Sequence, residues 1–424
     1  MKIVRLHALP LLALAVLLVV IALPLLDPAA APWPGDLGEF SRPLLDYDRH
    51  ADHPWNPYLY AGRYGIYDGT LYPVWYPVYA AYHFFGSPAV FAWGSLAQLI
   101  WAGWGLYFLA RRLTCGPFAA VYAALVFAGG AFFVFRLFAG QFPHVASASW
   151  TPWVFLACHR LLHDRRPLDG LWLGLAAAGQ LLAGYPQFLY ISACGCLICG
   201  LAFCADPAAR SGAAWRQAAL LLLLAGAVFL ALTLPLLLPL QSVLTGSQRA
   251  GGLPLVHAAI NSVTPEDLGR FWSPSAGRRL LAFAADGSYA AGWETAAYAG
   301  VTPWLVLGAG LALGAGRRLV PRLCLLLGGG ALLLALGPAT PAYPLAFRFL
   351  PLFDHLRVPG RWLLLLVLAF ALLTAFAADH LRRRWPRPAG VWLLLPVLLT
   401  VELSWSAWPL LGRELPARQS SPYW

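Results

Sequence analysis

The stretch PWPGDLGEF, residues 32–40, sets two carboxylates, Asp36 and Glu39, directly after a long apolar run. Pro34 and Gly35 suit a turn that places Asp36 just outside a helix end. The two acids stand three residues apart, so they share a face if 36–45 is helical. A carboxylate at the entrance of a partly desolvated cavity can take the proton of a hydroxyl nucleophile. The same pair can instead hold a divalent cation that neutralises a phosphate leaving group. An acidic, solvated loop without chemistry has the same spacing, so the acids alone do not decide.

Cationic and amide groups recur at other helix ends. FDHLRVPGRW, residues 353–362, carries Arg357 and Arg361 four apart. Two guanidinia at that spacing clamp a phosphate bidentately or anchor the chain at a membrane surface. Arg136 introduces RLFAGQFPHVASASWTPW, at a depth where it pairs with a carboxylate, meets a lipid phosphate or snorkels. GYPQFLY puts Gln187 at a helix end, and GWETAAYAG puts Glu294 at the mouth of another segment. His159 and His163 have ligand-like spacing but stand among arginines, as a solvated helix end does. Asp46, Asp48, His50, Asp52 and His53 offer metal-binding atoms at a spacing that fits no defined motif. Seven cysteines, four of them between 194 and 204, form no disulfide framework and read as small residues in close helix packing.

The elements that must hold these residues follow from composition. Of 424 residues, 60% are hydrophobic and 11% charged, far from a water-soluble balance. A helix crosses a bilayer's hydrocarbon core with about 20 apolar residues. Such runs lie near 8–26, 88–110, 117–135, 145–159, 168–185, 186–204, 217–240, 299–315, 320–337, 361–378 and 390–407, which predicts eleven spans. Helices are required because lipid offers no partner to backbone N–H and C=O groups. The expected fold is an all-α polytopic membrane protein, a single membrane domain over 1–424.

Every second connection is short and basic. These carry 16 Lys and Arg against 4 acids, while the opposite side carries 13 against 14. The net charge of +11 is therefore a topological signal and not a nucleic-acid footprint. It places the N-terminus in the cytoplasm and the C-terminus, after eleven spans, on the extracytoplasmic side. DPAAAPW offers small residues to a signal peptidase, but the preceding apolar run exceeds the usual signal core, so an uncleaved first span is expected.

Two extracytoplasmic connections are long, 27–87 and 241–298, and a tail follows over 408–424. Loops of that length carry function or disorder. Residues 55–85 are dense in Trp, Tyr and Phe, side chains that favour the headgroup layer. Pro73 and Pro77 argue against a regular span, so a short interfacial or re-entrant helix is expected over 71–85.

GDLGEF, WNPYLYAGRYG and YPVWYPV together resemble the YfhO-type family of bacterial integral membrane proteins, within the GT-C glycosyltransferase superfamily. The resemblance continues through GQFPHVASASWTPWVFLACHRL, GYPQFLY, WETAAYAGVTPWLVL and FLPLFDHLRVPGRWLLLL, and so runs nearly the whole chain. It implies a GT-C-like fold and transfer of a sugar, with inversion, from a polyprenyl-phosphate donor to a glycan, lipid or protein acceptor outside the membrane. By the same resemblance Asp36 is the base or metal-linked acid, with Glu39 as helper, although Leu37 and Gly38 intervene where many such enzymes have adjacent acids. Arg357 and Arg361 would hold the departing lipid phosphate, with Arg136 a weaker candidate, and Glu294 and Gln187 would line the sugar or acceptor site. Trp55, Asn56 and His144, within the quoted motifs, are counted with the substrate-binding residues. Such proteins often continue into an extracytoplasmic domain; here acceptor binding is expected to do without one or to borrow a partner.

Two other readings compete. A flippase or transporter of lipid-linked glycans would keep charge at mid-membrane and show related halves, and Glu402 is the main such charge. An O-antigen-polymerase-like or ligase-like enzyme would use the 241–298 loop, with Arg249, His257, Arg270, Arg278 and Arg279. Topology is testable directly. Alkaline phosphatase fused after residue 250 is expected to be active and, fused after residue 112 or 384, inactive; the opposite pattern would invert the orientation.

Overall fold

The computed structural model describes residues 2–26, 36–37, 45–46, 50, 55–56, 63–64, 76–205, 212–245, 250–273, 292–386 and 388–411. Among them the chain is helical, apart from two short strands, β1 (Trp55–Asn56) and β2 (Arg63–Tyr64), paired antiparallel with Trp55 opposite Tyr64.

Among the described residues six helical segments are long and apolar enough to cross a membrane: Ala89–Arg112, Pro117–Phe138, Pro186–Phe203, Gly212–Leu238, Pro359–Arg384 and Gly390–Pro409. His7–Ile21, Thr302–Ala312 and Leu319–Ala335 are apolar but shorter. The expected spans at 145–159 and 168–185 resolve into helices Phe142–Ser149, Thr151–His163 and Pro167–Leu182. A 16-residue helix rises only about 24 Å, less than the roughly 30 Å hydrocarbon core. Eleven spans were expected, and among the described residues length and composition support six.

In chain order the helices that matter below are α1 (Lys2–Ile21), α2 (Pro77–Phe85), α3 (Ala89–Arg112), α4 (Pro117–Ala128), α5 (Ala131–Phe138), α6 (Phe142–Ser149), α7 (Thr151–His163), α8 (Pro167–Leu182), α9 (Pro186–Ala205), α10 (Gly212–Thr245), α11 (Leu255–Ala258), α12 (Pro265–Gly269), α13 (Thr302–Ala312), α14 (Leu319–Ala335), α15 (Ala342–Phe349), α16 (Leu363–Arg384) and α17 (Ala389–Leu411). Proline stands in the first turn of α2, α4, α6, α7, α8, α12 and α13, where its missing N–H would have no helical partner anyway. The alanine-rich α4 is buried on every side, in the centre of one large apolar core with α3 and α16. By contrast α10 shows a row of exposed leucines, among them Leu220, Leu223, Leu230 and Leu238, as a lipid-facing helix does. It meets α8 where Gly170 and Gly174 allow contact: a Cβ there would lie 2.9 Å from the Leu221 carbonyl and 2.6 Å from that of Ala225. Cys115, Cys158, Cys194, Cys196, Cys199 and Cys324 are free thiols.

The first long connection is built on aromatics. Helix α2 starts at Pro77 and ends at Gly86 in the left-handed conformation, so the helix expected over 71–85 is seen over 77–85. Its buried face, Val78, Tyr79 and Tyr82, packs with Leu37, Leu45, Tyr76, Phe91, Phe142 and Ala146. The Tyr82 hydroxyl donates to Asp46 Oδ1 at 2.7 Å. Glu39, Asp48, Asp52, His53 and residues 71–75 lie outside the described residues.

Glu402, the one acid singled out within an apolar segment, has a structural partner set. Its carboxylate accepts from the Tyr298 hydroxyl at 2.6 Å, the Val301 N–H at 2.5 Å and the Thr302 hydroxyl at 3.3 Å. It thereby caps the free N–H groups that open α13. Glu402→Ala is expected to lower stability by roughly 1–3 kcal/mol, read as a fall in apparent Tm in detergent, because it strands those donors.

A buried arginine–glutamate cluster as the candidate active site

The site begins with a turn. At the end of α5 the Gln141 N–H donates to the Arg136 carbonyl at 2.8 Å and the Gly140 N–H to the Leu137 carbonyl at 2.9 Å. This is the Schellman pattern, and it needs a left-handed residue at its hinge; Gly140, with φ +73°, is that residue. The reversal places Gln141 and His144, on the next helix, beside Arg136. A second approach comes from Pro359–Trp362, a 3-10 turn leading into α16. A Cβ on Gly360 would lie 2.7 Å from the Glu294 carbonyl oxygen, so only glycine lets this turn reach the Glu294 segment.

Glu294 is the centre. Its Oε1 accepts from Arg361 Nη2 at 2.7 Å and from Gln141 Nε2 at 3.4 Å. Its Oε2 accepts from Arg361 Nε and from Arg136 Nη2, both at 3.3 Å. Arg136 Nη1 also donates to the Phe132 carbonyl at 2.9 Å, and its guanidinium lies 3.8 Å from the Phe132 ring centre. Arg361 Nη1 donates to Gln187 Oε1 at 3.1 Å, and Gln187 Nε2 donates to the Arg357 carbonyl at 2.8 Å. These charges are out of water: Arg136 is 0%, Glu294 2% and Arg361 4% exposed.

Burial alone would push the Glu294 carboxyl upward. The flanking Arg361 and Arg136 outweigh it and hold the group well below the usual carboxylate range. The cluster is thus two guanidinium charges against one carboxylate, with one positive charge in excess. Asp36 sits at its edge. Its backbone N–H donates to the Ala139 carbonyl at 3.1 Å, at the end of the helix that carries Arg136. Leu37 beside it is buried in the aromatic cluster of α2, while Asp36 is exposed and near enough for its charge to act on Arg361.

The structure therefore brings together Arg136, Gln187, Glu294 and Arg361, with His144 and Asp36 alongside. Arg357 and Arg361 do not share a face. Between them Val358 takes a left-handed conformation, φ +65°, so Arg361 turns inward while Arg357 is exposed. Trp55 and Asn56 form β1, and their side chains, like Glu39, are outside what is described. Two further members carried no charge to mark them. Gln141 follows Gly140, and that glycine after an apolar run was the available signal. Tyr185 stacks on His144 with ring centres 3.7 Å apart and lies 4.9 Å from the Arg361 guanidinium. From the second long loop Arg270 is paired with Asp267 at 2.7 Å, and Arg249, Arg278 and Arg279 are outside the described residues. Among the described residues no three His, Cys, Asp or Glu side chains converge as metal ligands.

Fold and site define a helical, membrane-spanning protein with a cationic, carboxylate-locked cluster next to an acid on its first long loop. No protein-family model and no curated protein matches the chain. Among solved structures it is similar to the arabinofuranosyltransferase AftD from Mycobacteria, with TM-score 0.58 and 16% identity over 97% of this chain and 27% of that one. A point variant of AftD gives TM-score 0.58 and 17% identity over 98% of this chain and 28% of that one. The likeness is one of fold, and the chain spans little more than a quarter of AftD's length.

Removing the central carboxylate is expected to be costly. Glu294→Gln leaves two buried guanidinia short of a counter-charge and should cost about 3–5 kcal/mol at neutral pH. The sign of the pH effect follows from the depressed carboxyl: its contribution is complete above the unfolded value, near 4.3, and is lost as pH falls toward the folded one. Unfolding in detergent from pH 7 to pH 3 should therefore lose less stability in Glu294→Gln than in the natural protein.

Proposed function

We propose that the protein is a GT-C-type glycosyltransferase of the YfhO kind. It moves a sugar from a polyprenyl-phosphate donor to a glycan, lipid or protein acceptor at the extracytoplasmic face, with inversion. The observation that carries this reading is the tether of Asp36 to the Ala139 carbonyl, which fixes an exposed acid beside a buried cluster with excess positive charge. The AftD-like fold supports the class, and donor, stereochemistry and acceptor are part of the proposal.

In the reaction, Asp36 accepts the proton of the acceptor hydroxyl as its oxygen bonds to the anomeric carbon. The bond from that carbon to the phosphate oxygen breaks, and its electron pair leaves with the phosphate. Attack opposite the leaving group inverts the centre. The exposed guanidinium of Arg357 meets the phosphate, and Arg361 and Arg136 supply the field beneath it from a site poor in water. Glu294 touches neither reactant; it positions the two arginines. The aromatic face of α2, packed with Leu37 beside Asp36, limits access of water and hence hydrolysis.

The test uses purified protein in lipid with radiolabelled polyprenyl-phosphate sugars. Asp36→Asn is expected to lose about 10²–10⁴ in turnover while binding donor normally. Full turnover in a folded Asp36→Asn protein would remove the base from this position.

A further inference from the structure

Most polar atoms of the cluster are spent on one another, but four are not. His144 Nδ1 and Nε2, Gln141 Oε1 and Arg136 Nε are all buried without a hydrogen-bond partner. Buried groups in that condition are costly, and several at one place call for a specific explanation. They stand together: Gln141 is the N-cap of α6 and His144 lies in its first turn, and both face the Glu294 environment with Arg136.

Their chemistry is mixed. Gln141 cannot be turned around, because its Nε2 faces Glu294 Oε1 and a carboxylate only accepts. Its Oε1 is therefore an acceptor in want of a donor. Arg136 has its Nη groups on Phe132 and Glu294, which leaves the Nε–H as a donor. The His144 ring is 8% exposed, and burial first, then Arg361 and Arg136, hold it well below its ordinary value. A neutral ring offers one donor and one acceptor. The set is thus two donors and two acceptors. A phosphate, which only accepts, would meet Gln141 Oε1 oxygen to oxygen. Neighbouring hydroxyl groups, each donating and accepting, would satisfy all four atoms.

We infer that His144, Gln141 and the Nε of Arg136 form the subsite for the hydroxyl groups of the transferred sugar, separate from the phosphate at Arg357. This rests on the glycosyltransferase reading. It also moves the sugar-lining role from Glu294 and Gln187, whose side-chain oxygens are taken by the arginines.

The experiment titrates polyprenyl phosphate, and the same lipid carrying a pentose or a hexose, against the full chain in phosphatidylcholine nanodiscs. One sugar-bearing lipid is expected to bind about tenfold tighter than the bare lipid, the worth of a hydrogen bond to a buried group. His144→Phe, which keeps the stack on Tyr185, should abolish that ratio and leave bare-lipid affinity unchanged. Gln141→Leu serves the same purpose if His144→Phe does not fold. Equal binding of all lipids by the natural protein, or a ratio that survives both substitutions, overturns the subsite and makes the four atoms a site for water. Failure of every lipid to bind overturns the glycosyltransferase reading itself.

Discussion

One carboxylate holds this structure's interior charge together. Glu294 takes hydrogen bonds from Arg361, Arg136 and Gln141, and through Arg361 reaches Gln187. Four segments that lie far apart in sequence meet there, and none can move without stranding a charge. Removing ions from water is expensive, and in hydrophobic surroundings an ion pair rarely gains more than it loses. Its value lies in what it forbids: the helices have one arrangement in which both guanidinia are answered. The remaining positive charge is a consequence of two cations sharing one anion, and it makes this interior attractive to an anionic group.

The first loop depends on the same place. Asp36 is fixed from two directions, by its own N–H on the Ala139 carbonyl and by Leu37 in the aromatic cluster of α2. Phe142 belongs to that cluster and opens the helix that bears His144. The packing of the loop and the geometry of the buried polar groups are therefore coupled through one short helix. An acid on an unsupported loop would sample many positions relative to Arg361, and these contacts remove that freedom.

Helical class and the ends of most apolar segments were readable because composition and the needs of backbone in lipid leave few options. The number of crossings was less so: the stretch 142–182 is divided into three short helices, the second and third opened by Pro152 and Pro167, and hydropathy does not weigh such breaks. Arg136, Gln187, Glu294 and Arg361 stood out singly, since ionisable or amide groups next to apolar runs are rare. Their meeting was not readable, because it joins residues 67, 158 and 174 positions apart. The four-residue spacing of Arg357 and Arg361 suggests a shared phosphate clamp or surface anchor, and a left-handed residue between them separates the two. Gln141 and Tyr185 carry no charge and look ordinary in sequence.

That left-handed residue explains why the second long loop is needed. Val358 is β-branched and pays in strain for φ +65°, so its conformation must be imposed from outside. The imposition comes from the end of α11 and the residues after it: the Val358 N–H donates to the Ala258 carbonyl at 3.0 Å, and the Gly360 N–H to the Asn261 carbonyl at 3.3 Å. The α11 segment thus acts as a template for the turn at 358–361. With the turn held, Arg361 is delivered to Glu294 and Arg357 is left at the surface. A relaxed, helical 357–361 would carry both guanidinia on one side, and the charge inside would no longer be matched. The inward turn of Arg361 and the exposure of Arg357 are set by two backbone hydrogen bonds from a loop that touches neither guanidinium through them.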